Sequence, residues 1–161
     1  MFQAPTLSVI VVIASDTISP RADVSHLEGC LEALSKQNHP PATEIIVPHH
    51  QDVDGIEELS RHFPTVIFLP VPGASIAQRR GGGREHHDLL RSHGLKVAKG
   101  EVIALLEDYA RPAPDWSANI IAAHREKSAA IGGAIENGID RPLNWAVYFC
   151  DFGKYQNPLP S

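Results

Sequence analysis

"LSVIVVIA", residues 7 to 14, is the stretch on which the fold turns: from Val9 to Ala14 every residue is apolar, and all but the last are β-branched. A strand with one wet face alternates apolar and polar residues. A strand covered on both faces, as in a parallel sheet, reads instead as a continuous β-branched run. The stretch is therefore expected to be such a strand. It is too short to span a bilayer, and it lacks a basic flank or a small-residue cleavage site, so no transmembrane or targeting segment is expected.

Working outward, Ser25 and Glu28 have capping-box spacing, and Leu27, Cys30, Leu31 and Leu34 share one helical face before "NHPP" at 38–41 stops the helix. "EIIV" at 44–47 is a second strand, Asp54 with Glu57 opens a helix carrying Ile56 and Leu59, and "TVIFLP" from 65 is a third strand. "VPGASIAQRRGGGR", 71–84, reads as a long mobile loop. A helix follows from Glu85 to Lys99 with Leu89, Leu90, Val97 and Ala98 facing inward, and Gly100 stands where a helix C-terminal glycine belongs. "VIALL" at 102–106 is the fourth strand. A helix from about Trp116 to Glu126, a strand "AAIGGAI" at 129–135 and an aromatic helix "NWAVYFCDF" at 144–152 complete the chain. Strands alternating with helices predict a doubly wound, mostly parallel α/β sheet, with residues 1–161 as a single domain.

The 161 residues suffice for one core, and 43% apolar with 20% charged residues set extended disorder aside. A net charge of -5 offers no broad basic field for a phosphate backbone, so no nucleic-acid partner is expected. Cys30 and Cys150 lie far apart in sequence, which suits a reducing compartment, and the chain is read as cytoplasmic.

The chemistry concentrates in "GEVIALLEDYARPAPDW", 100–116. Ligands of open α/β sheets bind outside the carboxyl ends of the strands, which is where Glu107 and Asp108 fall. Two carboxylates there suit a hard divalent cation that also bridges a diphosphate. They equally suit a solvated turn, since acidic residues favour loops.

"TLSVIVVIAS", "CLEALSKQ", "EIIV", "RSHGLKVAKGEVIALLEDYARPAPDW" and "AIGGAIENG" together resemble, in order and spacing, the nucleotide-sugar-binding half of family 2 glycosyltransferases with the GT-A fold. The likeness covers nearly the whole chain and is most specific from Arg91 to Trp116. It implies transfer of a sugar from a nucleotide-sugar, such as a UDP-sugar, to an acceptor. It implies nucleotide contacts from Ala14, Ser15, His49, His50, Asp52, Arg91 and Glu107. It also implies Mg²⁺ or Mn²⁺ at Glu107 and Asp108. Tyr109 stands where the family carries a third acidic residue, and His49 and His50 stand where it carries an acidic pair. The acceptor-binding half with the catalytic base is expected beyond Ser161, so no catalytic base is assigned. These departures define an alternative of a different class: a non-catalytic nucleotide-binding or assembly module.

Other groupings carry less. In "REHHD", 84–88, adjacent helical residues diverge by about 100°, so His86 and His87 do not chelate one ion easily. "RRGGGR" fits neither GxxxxGK[ST] nor GxGxxG and reads as surface loop or as a lid over the donor. Arg91 either reaches the nucleotide or pairs with Glu85 or Asp88. Trp116 is expected to anchor a helix start, Cys30 to lie in the core, and neither cysteine to act as a nucleophile. Trp145, Phe149 and Phe152 share a helical face, which leads to the expectation of a homodimer through the C-terminal aromatic segment.

Overall fold

The computed structural model describes residues 4–14, 24–51, 53–72, 83–126 and 128–156, with the backbone alone at 83–85. Ser15, Asp52 and most of the glycine-rich loop, 73–82, therefore lie outside the described residues. The chain groups into two compact units, Met1–Ala122 and Ala123–Ser161.

The first unit is built on a four-stranded, all-parallel sheet of β1 (Leu7–Val12), β2 (Thr43–His49), β3 (Ile67–Pro70) and β4 (Val102–Glu107), in the order β3-β2-β1-β4. β1 is central and each of its six residues is buried, which is why its sequence does not alternate. Leu7, Val9, Val11 and Ile13 pack with Leu27, Cys30, Leu31 and Leu34 of α1 (Ser25–Ser35) and with Ile56 and Leu59 of α2 (Ile56–His62). Trp116, Ile120 and Ile121 of α4 (Trp116–Ala123) pack on the same core, so Trp116 is an anchor as expected. Ile10 and Val12 point to the other face and meet Leu90 of α3 (Gly83–Val97). Helices on both faces make the sheet doubly wound. Each fully buried aliphatic side chain of β1 contributes about 1.5–3 kcal/mol by leaving water.

β4 is an edge strand among the described residues and reads differently. Val102, Ala104 and Leu106 face the α1 core, whereas Ile103 and Leu105, aligned with Ser8 and Ile10, are 40% and 52% exposed. α3 packs mainly across β1 and β2, so Ile103 and Leu105 stay exposed on this face.

Several local expectations are corrected. Ser25 and Asp54 do not cap their helices: the N-cap positions are Val24 and Gly55 (φ 84°), without side-chain capping bonds. α3 begins at Gly83, so Arg84 is helical rather than part of the loop, and α4 ends at Ala123. Gly100 is no left-handed helix cap. It lies against β1, where a Cβ would come within 2.5 Å of Ser8 N and 2.7 Å of Leu7 C. Its N–H donates to Ser8 Oγ (2.7 Å), Ser8 donates to Glu44 Oε1 (2.6 Å), and the Lys99 N–H donates to the same Glu44 oxygen (2.6 Å).

The second unit contains α5 (Pro142–Asp151) and a 3-10 turn, Gly153–Tyr155. The expected strand at 129–135 is not formed. These residues are irregular and exposed, and among the described residues nothing lies within 4 Å of a would-be Cβ at Gly132 or Gly133. Tyr148, rather than Trp145 or Phe149, is the buried aromatic of α5. Its hydroxyl donates to the Ile135 carbonyl (2.6 Å), and Trp145 and Phe149 stack at 5.6 Å. No described helix is long and apolar enough to cross a membrane.

Candidate functional site

The strand order reverses between β1 and β4: the chain winds outward from β1 through β2 to β3, then returns across the sheet to β4. Such a reversal opens a crevice at the carboxyl ends of the two strands, because their following loops diverge. Ala14 follows β1 there, Glu107 ends β4 and Asp108 follows it.

Successive residues of an extended chain point to opposite faces. Glu107, aligned with Val12, lies on the α3 face, and Arg91 Nη2 of α3 reaches its Oε1 at 3.0 Å. Arg91 Nη1 also holds Asp88 Oδ1 at 3.1 Å, the expected pairing on its own helix, whereas its bond to Glu107 was not foreseen in the sequence. The Tyr109 hydroxyl donates to Glu107 Oε2. Burial first, then that hydrogen bond and the neighbouring carboxylates, push the Tyr109 phenol well above its usual range, so it stays a neutral donor.

Asp108 goes the other way and is fully buried. Its N–H donates to Val12 O (3.0 Å) and its Oδ1 accepts the Ala14 N–H (2.9 Å), continuing the β1–β4 connection past the last ladder residues. A buried carboxylate without hydrogen bonds costs several kcal/mol, and the Ala14 amide offsets part of that. Arg111 Nη1 donates to the carbonyls of Asp108 (3.3 Å), Ala110 (3.0 Å) and His26 of α1 (3.3 Å). Gln37 holds Ala113 O (2.8 Å) and Ser117 N (2.9 Å), and Asn38 N holds Pro114 O (2.7 Å). The loop 108–117 is thereby fixed to both ends of α1. Burial pushes the Cys30 thiol up to about 12, with Arg111 lowering it and Asp108 raising it by smaller amounts, so Cys30 is inert core as expected.

Glu107 and Asp108 thus stand side by side in sequence but do not converge. One has both carboxylate oxygens engaged, and the other is buried beneath Ala14. This pair does not fit a divalent cation that must also meet a diphosphate, and no group of three or more His, Cys, Asp or Glu side chains is arranged for a metal among the described residues.

At the end of β2, His49 and His50 are both buried. His49 Nδ1–H donates to the His50 carbonyl (2.6 Å), which fixes its tautomer because a carbonyl only accepts. Burial lowers the His49 pKa, with that hydrogen bond opposing. His50 Nε2 meets His86 Nε2 of α3, their ring planes 8° apart and centroids 3.8 Å apart. The adjacent His86 and His87 indeed diverge, their rings tilted by 60°. Sequence reasoning missed this cross-element pair, as it missed the Tyr109 bond. A cavity of about 200 Å³ lined by Val9, Leu34, Ile45 and Ser117 lies beside α1 toward the starts of the strands, away from these groups.

No protein-family model matches the chain, and no curated protein matches it.

Proposed function

We propose that the chain is the nucleotide-sugar-binding part of a GT-A-type glycosyltransferase, with a nucleoside diphosphate-sugar lying across the carboxyl ends of β1, β2 and β4. The observation that carries this reading is the reversal of strand order between β1 and β4, with Ala14, Glu107 and Arg91 at that edge. The resemblance from Arg91 to Trp116 supports it independently. In transfer, an acceptor hydroxyl attacks the anomeric carbon and gives its proton to a base or to water, the bond from that carbon to the diphosphate oxygen breaks, and the nucleoside diphosphate leaves with the electron pair. Arg91 is a cation at this edge that can meet the leaving charge once it exchanges Glu107 for phosphate oxygens. No step is assigned to Mg²⁺ or Mn²⁺, because the carboxylates as folded do not fit one.

The engagement of Glu107 by Arg91 and Tyr109 favours a second reading, a nucleotide-binding module without turnover. Titration calorimetry with UDP and GDP, with and without Mn²⁺, tests the shared claim. One saturable site is expected, at least tenfold weaker in Arg91→Ala, and no heat from either nucleotide at millimolar concentration would sink both readings. Release of UDP from a UDP-sugar then separates them: release supports the transferase, and binding without release supports the module.

A further inference from the structure

We propose that His50 and His86 form a binding site for a borderline transition-metal cation of the Zn²⁺, Ni²⁺ or Cu²⁺ type, separate from the carboxylates at the end of β4. The two imidazoles come from different elements, the segment after β2 and α3, and present Nε2 to Nε2. A direct bond between two such nitrogens requires one to carry a proton and the other a lone pair. The rings lie near-parallel with their centroids 3.8 Å apart, so the imidazoles are already side by side and one must turn for both nitrogens to meet the same ion. A cation removes the need for the shared proton and bonds both nitrogens.

The chemistry selects the ion class. Imidazole nitrogen suits Zn²⁺, Cu²⁺ and Ni²⁺, whereas Mg²⁺ and Ca²⁺ take oxygen. Two Zn–N bonds of about 2.0–2.1 Å at a tetrahedral angle put the nitrogens about 3.3 Å apart. His86 is partly exposed near the start of α3, so side-chain rotation on the solvent side opens the pair to that span while the buried His50 stays fixed. Two protein ligands leave coordination positions for water or an anionic group at the same edge of the sheet. Because the ligands join β2 to α3, the bound ion ties the two elements and stabilises the folded chain by mass action. His87 is buried and turned from His86, so it serves as a control.

The test uses the full, untagged chain. Zn²⁺ titration calorimetry at pH 7.5 and the Cu²⁺ electron paramagnetic resonance spectrum read the site directly, and thermal melts with Zn²⁺ read its linkage to folding. One equivalent of Zn²⁺ is expected to bind at micromolar concentration and raise the melting temperature, with a two-nitrogen Cu²⁺ signature. His86→Gln should weaken Zn²⁺ at least tenfold and lose one nitrogen from the spectrum, whereas His87→Gln should change neither. Binding should also weaken as the pH falls, because protons compete with the ion for the imidazole nitrogens. The partly exposed His86 keeps the test decisive if His50→Gln fails to fold. Equal Zn²⁺ affinity in the parent and His86→Gln, or no binding below millimolar concentration, overturns the proposal.

Discussion

Asp108 does structural work that its neighbour Glu107 does not. Its carboxylate is sealed from water and accepts the Ala14 N–H, so the segment leaving β1 is held where β4 ends. Hydrogen bonds to a charged group are worth about 1.5–3 kcal/mol. Asp108→Ala is therefore expected to lower stability by about that amount, seen as a lower denaturant midpoint with an unchanged m-value. Asp108→Asn, which keeps an acceptor oxygen in place, should recover part of the loss. An Asp108→Ala chain as stable as the parent would show that the buried contact is not formed. The acidic pair was legible in sequence as a feature at a strand end. Its division between two faces was implicit in the two-residue period of a strand, yet reading it needed the exact position at which β4 ends.

Among the elements, β1 and α1 were legible because burial on both faces, or on one helical stripe, leaves a direct record in residue type. The helix starts were not, because Val24 and Gly55 hold the cap positions through backbone geometry, which the capping-box pattern does not encode. "AAIGGAI" has strand-like composition, but composition cannot show whether a neighbouring surface exists, and none of the described residues comes within 4 Å of a would-be Cβ at Gly132 or Gly133. Gly100 shows the opposite case: its role is set by β1, some ninety residues earlier in the chain. Gly100→Ala should thus cost about 1–3 kcal/mol by forcing the α3–β4 connection away from β1. Gly132→Ala, facing open space, should stay within about 0.5 kcal/mol of the parent. Chemical denaturation of the two variants compares them directly, and equal stabilities would contradict the close approach of Gly100 to β1.

At the scale of the whole molecule, a doubly wound sheet concentrates its functional potential at one edge. β1, β2 and β4 all run the same way, so Ala14, His49, His50, Glu107 and Asp108 come to their carboxyl ends although they lie far apart in sequence. This gathering was readable from the βαβ alternation alone. The partners that occupy the side chains, Arg91 and Tyr109 on Glu107 and His86 on His50, were not, because they depend on where α3 lies across the sheet. The most direct test of the account is amide chemical-shift mapping of the ¹⁵N-labelled chain during titration with UDP. The largest shifts are expected at Ala14, His50, Glu107 and Asp108 and at the Arg91 side chain, with saturation at a single affinity. Shifts confined to the opposite edge of the sheet, around Thr43 and Lys99, or no shifts at millimolar UDP, would contradict it.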